Sequence, residues 1–124
     1  EHAEENRKEE QRCLDALDSV LSEQHARVAA VIIEPVQGEG GDRHATPFFF
    51  CGIREITKRH SVLMIVDEVQ TGIMTSGYMW MHQSWNLPSP PDMMTFSKKA
   101  QAAGFFFKPH LLPSHPVSSF QCPK

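Results

Sequence analysis

"LMIVDEVQTG", residues 63–72, decides how this chain is read. Four apolar residues, Leu63 to Val66, run directly into two carboxylates, Asp67 and Glu68. Taking an unpaired carboxylate out of water costs several kcal/mol. A buried strand can end this way in two circumstances: it stops at solvent, or a cation meets Asp67.

The flanking segments supply the fold. "RVAAVIIEP" (27–35) is a continuous, β-branched apolar run, the pattern of a strand buried on both faces of a parallel sheet; Pro35 stops it. "DMMTFS" (92–97) predicts a short third strand, closed by Lys98 and Lys99. Before the first strand, residues 4–25 predict a helix laid over the sheet. Its apolar stripe is Cys13, Leu14, Leu17, Val20 and Leu21. After the glycine-rich loop "QGEGGD" (37–42), Thr46 and Pro47 form an N-cap and first-turn pair. The second helix they open carries Phe49, Ile53 and Ile56 on one face and ends near Lys58–His60. A less regular stretch with Met79, Trp80 and Trp85, containing a short helix, then leads to the turn-rich "NLPSPPD" (86–92).

Helix, strand, helix, strand, short helix, strand is the order of right-handed βαβ units, so the expected class is α/β with a mostly parallel sheet and flanking helices. In such sheets functional groups collect beyond the carboxyl ends of the strands. Here those ends carry Glu34 to Glu39, Asp67 to Gln70, and Lys98.

Bulk properties narrow the function. The 124 residues suffice for one domain, with a net charge of −3 and 22% charged residues. No concentration of Lys and Arg suggests a nucleic-acid or anionic membrane surface. The longest apolar run, Val28 to Ile33, is too short to span a bilayer. "EHAEENRKEEQR" (1–12) lacks the cationic and apolar regions of a secretory signal and reads as a chain entered in mid-sequence. Cys13, Cys51 and Cys122 are too scattered for a disulfide frame and point to reduced, intracellular thiols. The seven histidines have no ligand spacing, so no metal is assigned and most are expected at the surface. "KPHLLPSHPVSSFQCPK" (108–124) holds four prolines and no periodicity, and is expected to be an irregular tail. A strand ending in Asp-Glu also suits a nucleotide-hydrolysing ATPase, but that chemistry needs a G-x-x-x-x-G-K-[ST] loop, and "GEGGD" is not one. A lone lysine is ordinarily a solvated surface residue; it is the combination that is specific.

"VDEVQTG" followed by "DMMTFSKK", with Asp67 and Lys98 at the ends of consecutive strands, resembles the cofactor-attachment signature of the class III pyridoxal-phosphate-dependent aminotransferases. "IIEPVQGEGGDRHATPFFF", "HQSWNLPSPPDMMTFSKK" and "QAAGFFF" extend the resemblance, most closely to the eukaryotic branch that acts on 4-aminobutyrate. It implies that residues 1–107 are part of the large cofactor-binding domain of a fold-type I transferase, and that 108–124 are a degenerate tail. The implied cofactor is pyridoxal 5'-phosphate. Asp67 would pair with its protonated pyridine nitrogen, the cation that the strand end awaits. Val69 would pack on the ring face, Gln70 would sit near the phenolic oxygen, and Lys98 would hold the cofactor covalently and then shuttle a proton. Lys99 would point away, and Glu68 would be structural or peripheral. Glu39 matches the family glutamate that pairs with an active-site arginine and supports a site taking two substrates; Glu34 would support its neighbourhood.

The implied reaction passes the amino group of 4-aminobutyrate to 2-oxoglutarate, in a homodimer when full length, within the mitochondrial matrix or cytoplasm. The family's phosphate-binding loop, ring-stacking aromatic, substrate arginine and small domain have no counterpart in these 124 residues, so the isolated chain is expected to be inactive. The alternative is a non-catalytic remnant of such an enzyme. Two departures stand out. Ile73, Met74, Met79 and Met81 occupy a segment usually richer in glycine, and Cys122 replaces a threonine that reaches the partner subunit's cofactor phosphate.

Overall fold

The structure, a computed structural model, describes residues 2–24 and 27–112. The expected tail beyond residue 112, with Cys122, lies outside those residues.

Helix α1 (His2–Glu23) is followed by strand β1 (Ala30–Ile33), a small hairpin of β2 (Val36–Gln37) and β3 (Arg43–His44), and helix α2 (Pro47–Arg59). Strand β4 (Leu63–Asp67), a 3₁₀ helix (Met81–Trp85), β5 (Met93–Phe96) and β6 (Gly104–Phe107) complete the sheet. Its order is β1-β4-β5-β6. The first three strands are parallel, with Ala30 opposite Leu63 and Asp67 opposite Thr95, and β6 joins antiparallel. The expected α/β fold is present, with its three expected strands in the expected parallel arrangement.

Alternation along β4 turns Met64 and Val66 into the core, where they meet Phe50, Ile53 and Ile56 of α2. Phe50 stacks on Trp85 with ring centroids 3.7 Å apart, which docks the 3₁₀ helix against α2. Helix α1 contributes Leu14 and Leu21 to this core, but it meets the sheet largely through α2. A side chain at Gly52 would sit 2.5 Å from Leu14, so the glycine is what lets the two helices approach. The stripe predicted on α1 is narrower than expected, because Val20 is exposed. Thr46 occupies the N-cap position, and Pro47 follows at the first turn, yet no side-chain cap forms. Instead Glu10 of α1 accepts hydrogen bonds from the Thr46 backbone N–H and hydroxyl, both 2.7 Å.

Burial of β1 on both faces is not observed: Ile32 is 60% exposed. By the strand register, Ile32, Phe105 and Phe107 lie on the sheet face opposite Met64 and Val66, and all three are exposed. Phe106, on the covered face, joins Trp80 and Phe96 in an aromatic cluster. Not every histidine is at the surface. The half-buried His60 and His82 lie against Asp18 and Glu68, at 2.6 and 2.9 Å. No described helix is long and apolar enough to cross a membrane.

Candidate functional site

Parallel pairing of β1, β4 and β5 brings their carboxyl ends to one edge of the sheet, and with them Glu34, Asp67 and Lys98. Asp67 is half-buried, and its Oδ1 accepts the backbone N–H of Val69 at 3.0 Å. That bond closes a tight turn at the strand end and orients the carboxylate. Lys98 lies three residues beyond Thr95, the register partner of Asp67. It is exposed and opens the short 3₁₀ turn Lys98–Ala100. Its φ of 48° is left-handed, a conformation that costs a residue bearing a Cβ about 1–2 kcal/mol and that gathers at functional sites. Lys99 is exposed in the same turn. Among the described residues neither Asp67 nor Lys98 forms an ion pair, with each other or with any other group.

The glycine-rich loop between β2 and β3 closes on the same edge. A Cβ on Gly38 would lie 2.4 Å from Nε2 of Gln70, so only glycine lets the loop touch that amide without displacing it. The contact brings "QGEGGD" to Gln70 and leaves Glu39 exposed on the loop. The structure thus unites Asp67, Val69 and Gln70 on one turn, with the loop of Glu39 against it, and places Lys98 beyond the adjacent strand. Glu39 has no ion-pair partner among the described residues.

The second carboxylate of "DE" resolves differently. Glu68 is 1% exposed. Its Oε1 accepts the His82 backbone N–H at 2.8 Å and lies 2.9 Å from His82 Nδ1, while Oε2 accepts the Thr71 hydroxyl. Burial pushes the Glu68 carboxyl up, but the His82 ring, Thr71 and the backbone N–H groups of His82 and Met81 outweigh it and hold the group below the ordinary carboxylate range. The strand therefore ends on two carboxylates because one is internally satisfied and the other is left available.

Two features escaped the sequence. The hydroxyl of Thr95, opposite Asp67 in the sheet register, is buried without a partner among the described residues; nothing in "MMTFS" distinguishes it from an ordinary strand threonine. Ile73 and Met74 both hold left-handed backbone, at φ 55° and 62°. The signal for these was legible as departures from a glycine-rich segment, since glycine holds such φ values without strain and a β-branched residue does not.

Comparison with known proteins follows the same lines. The family described as "Aminotransferase class-III" matches residues 1–124. The chain is 59% identical over 121 residues to the 4-aminobutyrate aminotransferase of Emericella nidulans, covering 97% of this chain and 24% of that protein. It is 42% identical over 123 residues to the mitochondrial 4-aminobutyrate aminotransferase of Sus scrofa, covering 97% of this chain and 25% of that one. Among solved structures, the lysine aminotransferase of M. tuberculosis superposes with a TM-score of 0.75 at 37% identity, over 79% of this chain and 22% of its own. An ornithine aminotransferase of Plasmodium yoelii gives 0.61 at 34% identity, over 67% and 21%. The chain spans about a quarter of the length of the relatives it matches.

Proposed function

The chain belongs to the class-III aminotransferases, and from that premise we propose that residues 1–107 are part of the cofactor-binding large domain of an enzyme passing the amino group of 4-aminobutyrate to 2-oxoglutarate with pyridoxal 5'-phosphate. Residues 108–124 are read as an irregular tail. The observation that carries this reading is the pair of oppositely charged side chains, Asp67 and Lys98, left without ion-pair partners among the described residues at the carboxyl ends of adjacent parallel strands. A folded protein rarely leaves a half-buried carboxylate uncompensated.

The residues fit the cofactor. Asp67 is a carboxylate oriented by one backbone N–H, Lys98 is an exposed amine on strained backbone, and the unpartnered Thr95 hydroxyl beside Asp67 is polar capacity awaiting a ligand. Asp67 would hold the pyridinium N–H through a charge-assisted hydrogen bond, Val69 would lie against the ring, and Gln70, beside Gly38, would serve the phenolic oxygen. When bound, pyridoxal phosphate supplies an electron sink that stabilises negative charge developing beside the substrate nitrogen. Lys98 would anchor it covalently, and its released Nζ would move the proton at the reacting carbon. Glu39, exposed on its loop, would receive an arginine from the rest of a longer polypeptide and so support a site that accepts two substrates. In that polypeptide two copies would associate, in the mitochondrial matrix or the cytoplasm; two relatives carry the word mitochondrial in their names.

A second reading, a non-catalytic remnant, is favoured by the open apolar face of Ile32, Phe105 and Phe107. One chimera separates the two. Residues 27–112, placed in the Emericella nidulans enzyme in lieu of its matching segment, should retain amino transfer from 4-aminobutyrate to 2-oxoglutarate. Lys98→Ala in the chimera should lower the rate by about 10²–10⁴-fold. A folded, dimeric chimera with no activity would favour the remnant.

A further inference from the structure

We infer that Glu68 is a positioning residue for Asp67: a buried carboxylate that locks the strand-end turn so that the neighbouring carboxylate faces the ligand. The inference rests on the proposed function for what Asp67 binds, but not for the turn itself.

Three observations carry it. Glu68 is buried with neither lysine nor arginine paired to it among the described residues, and its two oxygens face the Thr71 hydroxyl, the His82 ring and the backbone N–H groups of His82 and Met81. Its own backbone belongs to the same unit: Glu68 N–H donates to Thr95 on β5 at 3.1 Å, and its carbonyl accepts the Gly72 N–H at 2.9 Å. Val69, the next residue, donates the N–H that orients Asp67. The chain of bonds therefore runs from the 3₁₀ helix 81–85 through Glu68 to the turn, and from the turn to the Asp67 carboxylate. A hydrogen-bonded buried charge costs far more to disturb than a surface one, since its partners are left unsatisfied. A merely space-filling residue at position 68 would not need this. Leucine or glutamine would occupy the volume, whereas only a carboxylate offers acceptors on both oxygens to a hydroxyl, a backbone N–H and a ring N–H together.

The test is hydrogen exchange on the 124-residue chain. Glu68→Gln keeps the shape but places an amide N–H₂ against donors. Exchange at the Val69 amide should quicken about tenfold, the equivalent of one lost hydrogen bond, while Val31 and Val66 in the sheet keep their protection. His82→Ala, which removes only the ring donor, should change Val69 in the same direction and serves if Glu68→Gln fails to fold. Unchanged exchange at Val69, or an equal loss at all three amides, would overturn the inference, because Glu68 would then be irrelevant to the turn or only a general stabiliser. Absence of pyridoxal phosphate attachment at Lys98 in the chimera with the Emericella nidulans enzyme would instead defeat the proposed function, and the Val69 result would still decide this inference.

Discussion

Asp92→Ala should lower the unfolding free energy by about 3–5 kcal/mol, the largest single loss expected in the described fold. Asp92 is 6% exposed and gathers four donors. Arg54 reaches it from α2 through Nη1 at 2.6 Å and Nη2 at 3.4 Å. Lys108 Nζ arrives from beyond β6 at 2.8 Å, and the Met64 backbone N–H from β4 at 2.9 Å. Removing the carboxylate leaves the buried Arg54 guanidinium, among the described residues, with only the Ser89 hydroxyl, at 2.9 Å. Lys108→Ala, by contrast, deletes a partly exposed partner and should cost about 1 kcal/mol. Urea unfolding of the two variants provides the comparison; equal losses would mean that Arg54 is not the group left uncompensated.

The same site sets the acid limit. Burial pushes the Asp92 carboxyl up, but Arg54, Lys108 and the Met64 N–H prevail and hold it at about 2. An unfolded aspartate titrates near about 3.9. Because the folded value is the lower one, the stabilisation is complete above about pH 4 and is lost as pH falls toward 2, amounting to roughly 2–3 kcal/mol. Glu68, also held below its ordinary range, adds in the same direction.

Asp67→Asn should do the opposite: little to the fold, much to the ligand. Asparagine still offers its carbonyl to the Val69 N–H, so stability should change by less than about 1 kcal/mol. What disappears is the charge proposed to hold a protonated ring nitrogen. Charge-assisted hydrogen bonds contribute about 1.5–3 kcal/mol, so pyridoxal phosphate affinity should fall roughly ten- to a hundredfold. Visible absorbance followed during a titration would show it. An unaltered affinity would mean that Asp67 does not face the cofactor.

What the sequence made legible was local or repetitive. The β-branched runs at 27–35 and 61–69 mark strands because a stiff branched side chain suits a pleated surface, and parallel pairing then places their ends at one edge. Lys98 gains meaning only from Asp67 on the preceding strand. The features that stayed hidden depend on partners far away in the chain. Phe105, Phe106 and Phe107 show no period of two, and β6 exists because Met93 pairs with Phe107 and Lys108 reaches Asp92. Asp92 sits in a turn-rich linker, and nothing nearby announces Arg54, 38 residues earlier. Likewise Glu68 and His82 are separated by an irregular segment, so the distinction between an available and a satisfied carboxylate in "DE" could be made only by the folded geometry. Ile32 illustrates the converse. Its run predicts burial on both faces, and the described residues cover only one.

The central claim, that this chain retains the cofactor-attachment centre of its family, is tested most directly by borohydride reduction of the chain after pyridoxal phosphate titration, followed by peptide mapping. Saturable label is expected on Lys98 and none on Lys99 or Lys108, with Lys98→Ala unlabelled. Label spread evenly over Lys98, Lys99, Lys108 and other surface lysines would contradict it.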